Sequence, residues 1–501
     1  MKNQIPLQSN ANSTFPKAGS SPLRVAVVGA GCTGLRIATL CEKMNRNGDS
    51  RHALECIVFE ARSAAGGYLQ SQRLPSGHIV DHGAQGVLSS RDAFLRALED
   101  LNLTPQDVIA PRSMRQHRTR YLLNPRGGMA ALTLNPWHLW KNELLRPAQW
   151  LRALLEVFWL KPAQPPSRNE TLYRFIERHF GHACAENFIL PFATGIWGGA
   201  SEKLLVRHAF PQLPEREAKH GSLLRSALLS ALGKVFTLRR QVSHVRQSWP
   251  RGLLSFRGGM KEFIAHMLKQ FEDPQSRTRL SLESPVTRIK ALPDGKLLIN
   301  NKELFDAVFW TSQPWQTPEL KLEPDEAQRD WQMLQNTPTH DLIVVHVSGK
   351  KDSSTKDGFG VLAGRSSDGL LGVLFVHSIY QEHCQEGQYA YRVLLGGDRN
   401  TALGDWSEEE LKNYTLLQLR KIHLLSENSD VANVRLVRWS RAVGIADENH
   451  DARLAALWRI EALLPGLHFA GNYKKGVGVA DALQSAQEAF DQWLSALPPN
   501  H

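Results

Sequence analysis

Two strand–glycine–helix units stand at opposite ends of this 501-residue chain, so a fold that uses both must leave one domain and return to it. The first unit is the apolar run 24–28, then Gly29-Ala30-Gly31-Cys32-Thr33-Gly34, then the helical LRIATLCEKM. Such glycines let the backbone turn and approach a pyrophosphate, while the helix start offers unpaired N–H groups and a positive dipole. A second buried-strand pattern, 54–59, ends in Glu60, a workable acceptor for adenosine ribose hydroxyls; the polar insertion NRNGDSRH lengthens the interval before it. Glycine-rich loops follow at Gly66-Gly67-Tyr68 and at Asp81-His82-Gly83-Ala84-Gln85-Gly86. Near the other end, the strand-like 468–471 leads through NYKKGVGVAD into the helical ALQSAQEAFDQWL.

This arrangement predicts an α/β protein with a Rossmann-type dinucleotide domain built from discontinuous segments, 23–92, 252–310 and 465–501. Residues 311–464 mix strand-like runs with a helix near 407–425 and read as an α+β substrate domain. Residues 93–251 read as mainly helical, and 1–22 as a disordered tail without the marks of a signal or transit peptide. No apolar run reaches the length of a membrane span. Five cysteines without a C-x-x-C suggest neither a disulfide framework nor a zinc site. There is no H-E-x-x-H pair and no G-x-S-x-G elbow, so neither a metal catalyst nor a serine nucleophile is expected.

The net charge, 60 basic minus 49 acidic residues or +11, suits an anionic partner. Much of it is concentrated: residues 111–160 carry eight Lys or Arg against two Glu, with Trp137, Trp140, Trp150 and Trp159 interleaved. Leu144, Ala148, Leu151, Leu155 and Phe158 follow helical spacing there, and Leu224, Leu228, Ala231 and Val235 do so within 219–251, a stretch with no acid. Basic, aromatic, amphipathic helices suit an anionic bilayer surface. The alternative is domain core with solvated basic backs. No nucleic-acid recognition module accompanies the charges, so nucleic acid is not expected as a partner.

With these units in order, the chain resembles the flavin amine oxidase superfamily. The stretches PFATGIWGGASEKLLVRHAFPQL (191–213), SFRGGMKEF (255–263), GFGVLAGRSSDGLLGVLFVHSIY (358–380), RVLLGGDRN (392–400) and Arg-Trp at 438–439 resemble the protoporphyrinogen oxidases within it. The resemblance runs from about residue 24 to the C-terminus and implies FAD as cofactor, held by Gly29, Ala30, Gly31, Cys32, Thr33, Gly34, Glu60, Gly67, Tyr68, Gly83, Ala84, Gln85 and Gly86. It also carries over Val286 to the adenine, Trp439 to the flavin, and Val477, Gly478 and Val479 to the second turn. For substrate it implies Arg120 on a propionate, Phe359 and Leu362 on the macrocycle, Tyr380 as a neighbouring aromatic, and the Gly195 carbonyl on the pyrroles. Two departures stand out. Ala64 replaces the family's usual Arg, with Arg62 nearby, and SRAVGIADENH follows Trp439 where the family has Pro, Gln and Tyr.

The expected reaction is conversion of protoporphyrinogen IX to protoporphyrin IX in haem synthesis. No side chain acts as the redox centre: flavin N5 accepts hydride, and O₂ takes the electrons to give H₂O₂ over three rounds. Coproporphyrinogen III is the alternative substrate; an amine oxidase, a polyene desaturase or an inactive, FAD-retaining binding protein are the alternative functions. The expected place is the cytoplasm, peripheral on the inner face of the cell membrane. A homodimer and contact with other haem-synthesis enzymes stay open.

Overall fold

Strands buried on both faces need continuous apolar runs rather than alternation. LRVAVV and LECIVF are such runs, and they sit at the centre of a five-stranded parallel sheet. Its order is Leu467–Phe469, Ala307–Trp310, Leu23–Val28, Leu54–Phe59 and Thr278–Ser281. The computed structural model describes residues 22–47, 53–112, 119–124, 126–132, 144–158, 169–199, 202–236, 248–364 and 367–497. Nearly all of the N-terminal tail, Arg115, Arg118, Trp137, Trp140 and Trp159 lie outside them.

One face of this sheet packs on the helices Cys32–Asn47 and Val479–Ala496. The other face packs on Asp325–Gln335 and His450–Leu463, with Trp310, Trp331 and Phe469 in the shared core. Lys321–Glu323 adds a parallel strand to Arg288–Ala291 beside it. Residues 321–335 and 450–463, which the sequence pattern assigns to the substrate part, thus lie against the second face of the five-stranded sheet. Those helices carry no glycine motif; burial against the far face of the sheet is what recruits them.

A second sheet has seven strands, ordered Asn433–Gly444, Thr339–Lys350, Gln388–Gly396, Leu370–Phe375, Gly360–Leu362, Arg120–Leu123 and Met129–Leu132. The last two come from the stretch expected to be mainly helical. They form a hairpin whose turn is closed by Asn124 Oδ1, which accepts from Gly128 N at 2.8 Å. One face of this sheet is a core with the helix Glu408–Lys421. Across the sheet, Arg435, His346, Arg392, Leu374, Gly360 and Arg120 stand in register from strand to strand. Residues paired in this way share a face.

The remaining elements are mostly helices, among them Pro147–Leu154, Leu172–Phe180, Leu190–Trp197, Gln212–His220 and Leu223–Phe236. Their predicted apolar stripes divide. Leu144 is buried against Leu122 and Ala130 of the hairpin, whereas Leu151, Leu155 and Phe158 are 59%, 47% and 70% exposed. Leu228 is 55% exposed on a helix that packs beside Leu155–Phe158. No helix among the described residues is long and apolar enough to cross a membrane.

Candidate cofactor and substrate site

The first glycine turn joins the centre of the five-stranded sheet to its covering helix, and each glycine there has a distinct reason. Gly29 has φ +104°, and a Cβ on it would lie 2.6 Å from Ser312 Oγ. A Cβ on Gly34 would overlap the Gly29 carbonyl, so the helix reaches the strand only without one. A Cβ on Gly31 would meet nothing within 4 Å. Packing explains Gly29 and Gly34; open space over Gly31 is what the close approach of a ligand to backbone calls for.

The helix begins at Cys32, so the first amides of Cys32, Thr33 and Gly34 have no intrahelical partner. Burial pushes the Cys32 thiol up to about 11, so it is no reactive thiolate at neutral pH. Glu60 closes the turn: its Oε2 accepts from Ala30 N and its Oε1 from Arg62 N, both at 2.9 Å. Ser284 N donates to Glu60 O at 2.8 Å, which brings the Val286 loop to the same end of the sheet. Val286 is buried there, in the core on the sheet's second face.

Gly67, at φ +56°, lies against Gly31, with Gly66 N donating to Ala30 O at 2.8 Å. Tyr68 then turns toward Trp439, the ring centroids 4.8 Å apart. Its hydroxyl donates to Gln313 Oε1 at 3.0 Å and accepts from Gln316 Nε2 at 2.6 Å. Burial raises Tyr68 above its ordinary value, while Gln316 and the Arg62 guanidinium pull the other way. Arg62 thus brings positive charge to the segment where Ala64, exposed, replaces the family's arginine.

The third loop is held from below by Asp81. This fully buried carboxylate accepts from Ser71 Oγ at 2.6 Å and Met260 N at 2.8 Å through Oδ1, and from Gln85 Nε2 at 2.8 Å through Oδ2. A Cβ on Gly83 would overlap Tyr68 O, and one on Gly86 would lie 2.5 Å from Leu254 O and 2.7 Å from the Tyr380 hydroxyl. Ala84 packs against the cofactor-domain core. Trp439 Nε1 donates to His82 O at 2.9 Å, and Gln85 Oε1 is buried without a partner.

At the second turn, Gly478 precedes the helix Val479–Ala496, and its N–H donates to Asp481 Oδ2 at 3.2 Å. Asp481 also pairs with Arg91. Val477 packs against the helical core that contains Trp197 and Ala446. A pocket with about 630 Å³ of empty volume, open to solvent, is lined there by Gly476, Val477, Trp197, Trp315, Ala446 and His450 among others. In the stretch that departs from the family after Trp439, a Cβ on Gly444 would lie 2.5 Å from the Trp315 ring. Trp315 is held by Nε1 donating to Arg441 O at 2.8 Å.

The expected substrate residues gather at the other end of the seven-stranded sheet. The Arg120 guanidinium lies over the Phe359 ring at 4.7 Å, and a Cβ on Gly195 would be 2.6 Å from Leu362 Cδ2. Tyr380 is fully buried; its hydroxyl donates to Leu253 O at 2.9 Å and backs Gly86, placing it under the glycine loop. It shares a cluster with Ile109 and Ile379, against which Phe359 packs.

Sequence reasoning passed over Asp81, Gln313, Ser312 and Arg392. Asp81 had a signal, a lone carboxylate ending the apolar run HIV just before a glycine loop. Among the described residues no group of His, Cys, Asp or Glu side chains is placed to hold a metal, although His78 and His82 stand four apart. The open space over Gly31, the unpaired helix amides, the Glu60 carboxylate and the unpartnered Gln85 Oε1 fit a dinucleotide flavin.

The comparisons agree. The model of the flavin-containing amine oxidoreductase family matches residues 42–492. The mitochondrial protoporphyrinogen oxidase of Nicotiana tabacum is 30% identical, over 96% of this chain and 97% of its own. The coproporphyrinogen III oxidase of Staphylococcus aureus is 22% identical, over 94% and 99%. A solved structure from Exiguobacterium sp. 255-15, provisionally named a protoporphyrinogen oxidase, superposes with a TM-score of 0.76 at 20% identity, covering 96% of this chain and all of that one. This chain is an FAD-dependent oxidoreductase that belongs to the flavin-containing amine oxidoreductases and, within them, to the protoporphyrinogen oxidase family.

Proposed function

We propose that this flavoprotein oxidises protoporphyrinogen IX to protoporphyrin IX, with O₂ as acceptor and H₂O₂ as product, in haem synthesis. FAD, when bound, supplies the two-electron acceptor that no side chain here offers. The protein's own task is to hold a greasy macrocycle and bind its carboxylates. The observation that carries this reading is Arg120 over Phe359 and in register with Gly360, two residues before Leu362, which meets Gly195. A guanidinium at the rim of an apolar floor suits a propionate on a flat ring, because its fork matches a carboxylate in two bonds.

Arg112 favours attention to a second substrate. Its backbone N–H donates to Ile379 O at 3.3 Å, which anchors it next to the Tyr380 cluster, and its side-chain Nε is buried without a partner. A second arginine anchored by its backbone near that cluster suits coproporphyrinogen III, with its four propionates, as well as protoporphyrinogen, with two. The exposed Leu151, Leu154, Phe158 and Leu228, with Arg152 among them in sequence, support peripheral binding to an anionic membrane, the stem burying in lipid while the cations stay at the headgroups.

The test is porphyrin fluorescence after mixing FAD-loaded protein with each porphyrinogen in air, against a boiled-protein blank. Growth above the blank with matching H₂O₂ supports the oxidase and ranks the two substrates. FAD-loaded protein that raises neither signal overturns the reading.

A further inference from the structure

Two consecutive carbonyls of the third glycine loop are gripped from the same sheet. Trp439, on the strand Asn433–Gly444, donates to His82 O at 2.9 Å. Arg392, on the strand Gln388–Gly396, donates through Nη2 to Gly83 O. The substrate sheet is thereby latched to the loop that the family resemblance assigns to the flavin.

Arg392 is an unusual choice for that latch. A neutral donor would hold a carbonyl, as Trp439 does next door, without the cost of burying a charge. The arginine is only 6% exposed, forms no ion pair among the described residues, and leaves its buried Nε without a partner. The countercharge acting on it is Asp81, whose own oxygens are already occupied by Ser71, Met260 and Gln85.

The other groups around it do not neutralise it. His346, in register with Arg392 on the neighbouring strand, is pushed well below its ordinary value by burial and by the Arg392 charge. Burial and the Arg435 and Arg392 charges lower His82 as well, opposed by Asp81. Both imidazoles are thus kept neutral near pH 7. Burial draws Arg392 down to about 10, which leaves it charged at that pH. Arg392 is thus the buried cation behind the Gly83 carbonyl, opposed by the Asp81 carboxylate, whose hydrogen bonds go to Ser71, Met260 and Gln85 and not to the guanidinium.

We infer that Arg392 is a positioning residue whose buried charge makes the bound FAD easier to reduce. Two-electron reduction at neutral pH takes up one proton, so the reduced cofactor carries one more negative charge than the oxidised one. A cation held in a water-poor interior favours that form, and it costs no reorganisation because the sheet fixes it in advance. The inference rests on the FAD-binding reading above and not on which porphyrinogen is used.

The experiment is a reduction titration of FAD-loaded protein against a reference dye, read from the flavin absorbance band, with no porphyrinogen present. Arg392→Met should shift the equilibrium toward oxidised flavin by about tenfold, the order expected for one buried charge acting through protein. Arg392→Lys, which keeps the charge but loses the fork, should stay within about twofold of wild type. Should the methionine variant fail to fold, Arg392→Gln replaces it with a neutral donor and the same expected shift. Neutral variants that titrate like wild type overturn the inference. So does a lysine variant that shifts as far as the neutral ones, since geometry rather than charge would then be at work. A wild-type protein that binds no FAD would instead sink the flavoprotein reading itself.

Discussion

The two ends of the site are made of different material. At the cofactor end, backbone meets backbone: Gly34 against Gly29 O, Gly83 against Tyr68 O, Gly86 against Leu254 O. At the substrate end, side chains on a sheet do the holding, with Arg120 on Phe359 and Leu362 beside Gly195. Backbone approaches tolerate no added atom, whereas side chains at a rim tolerate substitution at a cost in affinity alone. Substitutions should therefore separate the two ends cleanly, by the quantity each one changes.

The largest effect is expected at Gly34. Gly34→Ala drives a methyl into Gly29 O inside a packed strand–helix junction, where overpacking costs about 1–3 kcal/mol or more. It should lower both the melting temperature and the flavin content, read as absorbance per mole of protein. Gly31→Ala is the control that could break the comparison, since its methyl enters open space. It should leave the apoprotein's melting temperature unchanged while cutting FAD affinity. If Gly31→Ala binds FAD normally, the open space is not where the cofactor approaches.

Next in size is Arg120→Ala. Loss of a charge-assisted contact worth roughly 1.5–3 kcal/mol should raise KM for porphyrinogen about ten- to a hundredfold. Flavin content should be unchanged. A fall in FAD content equal to the loss in kcat/KM would erase the distinction between the two ends.

The same contrast explains what was legible in the sequence. Gly29, Gly31, Gly34 and Glu60 are readable because a tight turn next to a phosphate restricts residue type at fixed spacing. Of the hairpin from Arg120 to Leu132, the strand-like TRYLLN is legible in the sequence, whereas its partner Met129–Leu132 is not, because four residues are too short for a clear period within a stretch that reads as mainly helical. The helix Asp325–Gln335 looks like an ordinary amphipathic helix and His450–Leu463 has apolar residues all round, so nothing local says which sheet they cover. Arg392 is invisible for a related reason: one charge inside an apolar strand gives no sign of what covers it, and the glycine loop whose Gly83 carbonyl it meets lies far away in sequence. Phe359 and Tyr380 could be named from family resemblance alone, since an apolar side chain at a site has the same composition signature as core.

A third region tests whether exposure at a rim has a use. Phe158, 70% exposed, and Leu151, 59% exposed, lie on the consecutive helical segments Leu155–Phe158 and Pro147–Leu154, which leave apolar side chains to solvent. Phe158→Ser should weaken binding to anionic lipid vesicles, read by co-sedimentation, about ten- to a hundredfold, from about 1.5–3 kcal/mol of lost apolar burial, with kcat on detergent-dispersed porphyrinogen unchanged. Equal co-sedimentation of variant and wild type would remove the patch from membrane binding.

The smallest expected effect lies directly beneath that patch. Glu156, on the turn bearing Phe158, is fully buried and accepts from Ser222 Oγ at 2.6 Å, Leu223 N at 2.7 Å and Leu224 N at 3.0 Å, so it caps the helix Leu223–Phe236. His179 lies 2.8 Å from Glu156 and 3.2 Å from Glu217. Burial depresses His179, but the two carboxylates more than offset it and its value is raised. Burial likewise opposes ionisation of Glu156, yet the bonds from His179, Ser222 and the helix amides hold it down at about 2. A raised histidine stabilises fully below its unfolded value of about 6.5 and loses that contribution as pH climbs through the folded value. A depressed glutamate stabilises above its unfolded value of about 4.3 and loses it as pH falls toward the folded one. The network should therefore be strongest between these limits, and Tm should decline by roughly 2–4 °C for each kcal/mol lost as pH rises from 6 to 9. His179→Asn keeps a polar group between the carboxylates but cannot titrate, so its Tm should be lower at pH 6 and flatter above it. Parallel Tm curves for variant and wild type over that range would show that the cap under the exposed patch is not held by the histidine's charge.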